Sequence, residues 1–227
     1  MQYQGEILRA EFLSRPNRFI ANCRLNGEIV TVHVKNTGRC RELLVPGATV
    51  LLEKSNRPAR KTAYDLISVW KGTQLINMDS NAPNRVAADW IMQGGLGFIP
   101  TLLKPEVRLG DSRFDFYLEY AEHPCYVEVK GVTLEENGIV RFPDAPTERG
   151  VKHLLGLAAL ARQGVDARVI FVVQMQGAKY LEANRATHPA FADALRTAAE
   201  AGVTVHAVDC IVTEDSVTAN APVPVHI

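Results

Sequence analysis

Residues 106–130, EVRLGDSRFDFYLEYAEHPCYVEVK, carry the decisive reading of this chain. SRFDFYLEY alternates with the two-residue period of a strand, so Arg113, Asp115, Tyr117 and Glu119 share one face and Phe114, Phe116 and Leu118 the other. CYVEVKGVTL repeats the pattern, with Tyr126, Glu128 and Lys130 opposite Val127 and Val129. If AEHPC is the turn of an antiparallel hairpin, pairing residue 120 with 123 sets Asp115 across from Glu128. Directly opposed like charges cost a sheet on the order of 0.2–1 kcal/mol, so the arrangement calls for a cation. Lys130 supplies one positive charge. A hard divalent ion, Mg²⁺ or Mn²⁺, would supply the rest, because such ions take one or two carboxylates and keep several waters. The resulting D-x12-E-x-K pattern suits phosphodiester hydrolysis, with Asp115 and Glu128 holding the ion and Lys130 orienting the attacking water. A third acid, Asp89, lies on the preceding helix and is a further candidate ligand. Glu106 is a weaker one, since Arg108 is at hand to pair with it.

Working outward, RVAADWIMQ reads as a helix, EVRL as a first strand, TERGVKHLLGLAALARQ as a helix and ARVIFVV as a buried strand. PAFADALRTAAEAG is a helix stopped by Gly202, VTVHAV a last strand, and the tail after Asp215 irregular. In the middle helix Val151, Leu154, Leu155, Ala158 and Ala161 form the expected core stripe, and Pro146 suits its first turn. The order αβββαβαβ predicts a mixed sheet flanked by helices over residues 81–227. Upstream, GEILRAEFL, RFIANCRL and EIVTVHVKN, the last two joined by Asn26-Gly27, begin a run of about five strands with a short helical insert at CRELL. Residues 1–80 are therefore expected to form a five-stranded OB-like barrel, and DSNAPNR, rich in turn formers, marks the boundary.

The chain has 227 residues, 47% hydrophobic and 22% charged, which excludes disorder for its bulk and allows one large or two small cores. No stretch approaches a membrane span, and the first residues lack the pattern of a signal peptide, so a cytoplasmic protein without membrane contact is expected. Four widely spaced cysteines argue against a zinc cluster or a disulfide framework. The sequence has no G-x-S-x-G, Walker or H-E-x-x-H motif, and no small-molecule cofactor is indicated.

Zero net charge conceals a division. Residues 1–80 hold 12 Lys+Arg against 7 Asp+Glu, and residues 81–227 hold 13 against 18. A basic part beside an acidic one is compatible with one gripping a polyanion while the other holds metal. Arg15, Arg18, Arg39, Arg41, Arg57, Arg60 and Lys61 occupy loop or strand-edge positions in the basic part, where phosphate contacts would be independent of sequence and sensitive to salt. Arg149, Lys152 and His153 fall within one turn at the start of the middle helix and are candidates to meet a phosphate beside the carboxylates.

The blocks RFIANC, HVKNTGRCRELLVPG, NRVAADWI, KPEVRLGDSRFDFYLE, CYVEVKGVTL and FPDAPTERGVKHLLGL, in this order, resemble the sugar fermentation stimulation protein A (SfsA) family over nearly the whole chain. The resemblance implies an OB-like barrel followed by a PD-(D/E)XK nuclease-like domain. It also implies DNA binding with little sequence preference and a regulatory role in sugar, especially maltose, utilisation. The family's nuclease-like acids fall on Asp115 and Glu128 and its lysine on Lys130, while Asp89 stands where the family carries Glu. Gly131, Cys40 and Pro146 depart from the usual Ser, Met and Val. Two functions stand side by side: a DNA-binding regulator on a nuclease-like fold, and a Mg²⁺- or Mn²⁺-dependent nuclease. An exposed strand edge would permit a homodimer.

Overall fold

The computed structural model describes residues 1–36, 38–56, 60–110 and 112–227. Five strands make a closed barrel: β1 (Ile7–Asn17), β2 (Ile20–Leu25), β3 (Glu28–Val34), β4 (Thr49–Lys54) and β5 (Tyr64–Lys71). Asn26 (φ 52) and Gly27 (φ 88) both adopt the left-handed conformation that a two-residue hairpin turn requires, so β2 turns directly into β3. Strand β1 pairs antiparallel with β2 and β4, β4 with β5, and the barrel closes where β3 runs parallel to β5, His33 against Asp65 and Val34 against Leu66. This is the closure of an OB fold. A sixth strand, β6 (Gln74–Asn77), extends β5 as a hairpin. At CRELL the expected helix is a single turn, in which the Leu44 N–H bonds to the Cys40 carbonyl at 2.9 Å. Pro46 and Gly47 follow at once and leave no length for a helix to propagate.

Helix α1 (Ala82–Met92) opens the α/β part. After it come β7 (Leu102–Leu109), β8 (Ser112–Tyr120), β9 (His123–Val132), β10 (Leu134–Glu136), β11 (Ile139–Phe142) and α2 (Glu148–Arg162). The chain continues through β12 (Asp166–Val173), β13 (Tyr180–Ala183), α3 (Pro189–Glu200), β14 (Thr204–Val212), β15 (Val217–Pro222) and β16 (Val225–His226). A six-stranded sheet has the order β15-β14-β12-β9-β8-β7, parallel in its β14-β12-β9 centre and antiparallel at both sides. Its apolar residues are buried on both faces, as a sheet covered by helices requires. On one face Val86 and Ile91 of α1 pack with Phe116, Val127 and Ile170. On the other, Leu154 and Leu157 of α2 and Leu195 of α3 pack with Phe171. Each fully buried leucine there contributes roughly 1.5–3 kcal/mol. Leu51, Ile67 and Leu75 from the outside of the barrel join the α1-side cluster, so barrel and sheet share continuous apolar contact.

Several expectations are corrected. The tail after Asp215 is ordered as β15 and β16, and the short strands β10, β11, β13 and β16 form a second, four-stranded sheet. Pro146 precedes α2 rather than lying in it; Thr147 is the N-cap, its hydroxyl accepting the Gly150 N–H at 3.1 Å. The buried stripe of α2 is Gly150, His153, Leu154, Leu157 and Ala158, while Leu155 is 46% exposed. Strict alternation also fails on β8. Phe114 turns to the α2 side, against the Tyr126 and His153 rings, whereas Phe116 and Leu118 face the α1 side.

Candidate metal and nucleic-acid site

The β8–β9 hairpin has the register expected from its turn. Tyr120 pairs with His123, Tyr117 with Tyr126 and Phe116 with Val127, which brings Asp115 level with Glu128 at the end of the ladder. The ladder stops there because the Asp115 side chain takes over: its Oδ2 accepts the Val129 N–H at 2.7 Å. Its Oδ1 accepts from the Asn84 amide of α1 at 2.9 Å. Burial, and then the neighbouring Glu128 carboxylate, push Asp115 above its ordinary carboxyl pKa despite these two hydrogen bonds.

Glu128 is 2% exposed. Burial alone would raise its pKa as well, but the hydrogen bond from His153 and the charge and hydrogen bond of Lys130 outweigh it and hold Glu128 below its ordinary value. Lys130 Nζ and His153 Nδ1 both meet the same oxygen, Oε1. The other oxygen, Oε2, is buried and has no hydrogen-bond partner among the described residues. Such an atom forgoes on the order of 1–3 kcal/mol unless something occupies it. Two carboxylates at one level of a hairpin, one with a bare oxygen, fit the donor set of a hard ion such as Mg²⁺ or Mn²⁺, which fills its remaining positions with water. Among the described residues, no three or more His, Cys, Asp or Glu side chains are grouped to hold a metal. Asp115 and Glu128 thus stand as a pair, without a third His, Cys, Asp or Glu among the described residues grouped with them.

Asp89 does not join them. Its side chain is 59% exposed and pairs at 3.2 Å with the amino group of Met1, which also bonds to the Val217 carbonyl on β15. The helix residue that reaches the site is Asn84, a neutral donor that a search for acids passes over.

The cations divide into two sets. Arg60 is engaged with Asp65 of β5, with bonds at 2.5 and 2.8 Å. Lys61 is exposed, and Arg57 lies outside the described residues. By contrast, Arg15, Arg18, Arg39 and Arg41 surround a cavity of about 330 Å³ on the barrel with no acid among its described lining residues. Arg15 holds this loop together by donating to the carbonyls of Arg18, Asn36, Gly38 and Arg39. Arg18 and Gly38 also line a second cleft of about 420 Å³ between barrel and sheet, whose far wall includes Pro83, Gly131 and Thr147. Asp144 joins the two parts by accepting the Arg39 N–H at 2.9 Å. Pro83 precedes Asn84 and Gly131 follows Lys130, while Asp115, Glu128 and Lys130 themselves line neither cavity. On α2, Arg149 and Lys152 are exposed but His153 is buried, bonded to Glu128 and turned away from any phosphate outside.

Residues 81–216 match the family described as the sugar fermentation stimulation protein RE domain, and residues 13–78 the SfsA N-terminal OB domain. The chain belongs to the sugar fermentation stimulation protein (SfsA) family. The sugar fermentation stimulation protein homolog of Clostridium beijerinckii is 53% identical over 217 residues, 96% of each chain. That of Clostridium botulinum strain Kyoto is 46% identical over 230 residues and covers both chains in full. Among solved structures, Pyrococcus furiosus SfsA in complex with Ca²⁺ superposes with a TM-score of 0.90 at 26% identity over the whole of both chains. No helix of the described SfsA-family chain is long and apolar enough to cross a membrane.

Proposed function

We propose that this SfsA-family chain binds DNA with little sequence preference and holds Mg²⁺ or Mn²⁺ at Asp115 and Glu128, with a regulatory output in sugar utilisation. The observation that carries the reading is the arginine-lined cavity of the barrel, which through Arg18 and Gly38 adjoins a cleft reaching Pro83 and Gly131, the chain neighbours of Asn84 and Lys130. A phosphate backbone laid in the barrel cavity meets the fixed positive charge of Arg18, Arg39 and Arg41. Contacts to phosphate orient a duplex without reading its bases, which is the basis for low sequence preference. The Ca²⁺ bound by the Pyrococcus furiosus relative supports an oxygen-ligand cation site in this fold.

A second reading, metal-dependent phosphodiester hydrolysis, is favoured by Lys130. Its ammonium shares a face with Glu128 and uses one of three donors on Oε1. The others are available to orient a water or a phosphate oxygen. Asp115 is held by Asn84 and Val129, so the carboxylates are set before substrate arrives. A bound divalent ion would supply activation of water and neutralisation of developing charge.

Incubating the wild type and Glu128→Gln with end-labelled single- and double-stranded DNA in Mg²⁺, Mn²⁺ or EDTA tests both. Retention of DNA by both proteins, weakening with salt, is expected; no retention under any condition overturns the binding reading. Cleavage in Mg²⁺ or Mn²⁺ that is lost in EDTA and in the variant establishes hydrolysis, and intact DNA with every metal overturns it.

A further inference from the structure

His153 is 5% exposed, yet it stands on a helix turn otherwise carrying exposed cations. Its Nδ1 meets Glu128 Oε1, and its Nε2 lies 3.4 Å from the Arg149 Nε–H, four residues back on the same face of α2. The two partners determine where the proton sits. An ionised carboxylate only accepts and a guanidinium only donates, so Nδ1 must carry the hydrogen and Nε2 must keep its lone pair. The ring is walled by Phe114, with centroids 6.2 Å apart.

We propose that His153, held at Nε2 by Arg149, is a positioning residue for Glu128: its Nδ1, with Lys130, pins Oε1 and leaves Oε2 as the oxygen offered to the metal. The inference deepens the proposed function and rests on its assignment of Glu128 as a ligand. Outer-shell hydrogen bonds of this kind orient a ligand, and losing one typically costs 10–100-fold in metal affinity.

The full chain is titrated calorimetrically with Mn²⁺ as wild type, His153→Asn and His153→Leu, with a melting curve for each. The asparagine amide would reach where Nδ1 sits, while leucine fills the space without a donor. Mn²⁺ affinity is expected to fall 10–100-fold in His153→Leu and to return most of the way in His153→Asn. Equal affinity in all three, or equal loss in both variants tracking their melting temperatures, overturns the positioning role. A second measurement needs neither variant nor metal: ¹⁵N spectra of the imidazole in the metal-free wild type are expected to show a hydrogen on Nδ1 shared with a carboxylate. An imidazole whose only hydrogen sits on Nε2 overturns the hydrogen bond to Glu128. If the wild type takes up no Mn²⁺, the metal assignment of Glu128 falls, and the spectra alone decide whether His153 holds that carboxylate.

Discussion

Asn84 Nδ2 lies 2.9 Å from Asp115 Oδ1, so the first turn of α1 steadies the carboxylate that β8 sets beside Glu128. Without metal this carboxylate is a burden on the fold: it is largely buried and next to a like charge. Asp115→Asn is therefore expected to stabilise the protein in EDTA at neutral pH, by ~0.5–2 kcal/mol, while abolishing Mn²⁺ binding. If the Asn84 amide flips, both hydrogen bonds survive, the Val129 N–H donating to the new carbonyl oxygen and the new amide donating to Asn84. Urea midpoints of the two proteins in EDTA check this, and a less stable variant would show that the carboxylate is not a burden.

The hairpin is legible in the sequence because its register depends only on where the turn falls, and AEHPC leaves little choice. The place of Asp89 is not. It lies five residues beyond Asn84, about 140° farther round a helix, and nothing in RVAADWIMQ says which side of α1 meets β8. His153 escapes a sequence reading for a related reason. Arg149, Lys152 and His153 look like one basic turn, but the buried stripe runs through Gly150, His153 and Leu154, one position away from the apolar spacing that includes Leu155. Strands β10, β11, β13 and β16 have 3, 4, 4 and 2 residues, too few to display a period.

Asp65 makes stability sensitive to acid. Burial opposes its charge, but the Arg60 hydrogen bond, Lys35 and His33 outweigh it and lower its pKa to about 2. Because the folded value lies below the unfolded one, the stabilisation is complete above the ordinary carboxylate pKa and is lost as pH falls from roughly 4 to about 2. Asp65→Asn should be less stable at pH 7 and should lose on the order of 1–2 kcal/mol of the wild type's pH dependence across that window. Melting temperatures between pH 2 and pH 7 measure it; parallel curves for the two proteins would count against the network.

The barrel cavity and the Arg60 pair predict opposite phenotypes from the same kind of substitution. Replacing Arg18, Arg39 and Arg41 with Gln should flatten the dependence of DNA affinity on salt by roughly 0.9 in log–log slope for each duplex phosphate left without its cation, with little effect on folding. Arg60→Gln should leave the slope unchanged and lower stability, since Asp65 loses its bidentate partner. Fluorescence anisotropy across a salt series, paired with urea denaturation, separates the two; a slope altered by Arg60→Gln instead would relocate the grip.

Gly131, next to Lys130, is held to its size by two neighbours from different elements. A Cβ there would stand 2.6 Å from Pro83 Cγ in the first turn of α1 and 2.6 Å from Gln174 Oε1 just past β12. Neither yields easily. The proline ring is rigid, and Gln174 is buried with its amide donating to Asn77 Oδ1 at 2.8 Å and to the Asp79 carbonyl at 3.1 Å. Gly131→Ala should thus cost roughly 1–3 kcal/mol and displace the start of α1, where Asn84 holds Asp115, so that Mn²⁺ affinity falls with stability. Pro83→Ala removes one of the two obstructing atoms, and the double variant should recover part of both losses. Strictly additive costs in that cycle would mean that the glycine's size is not what seats α1 against the carboxylates.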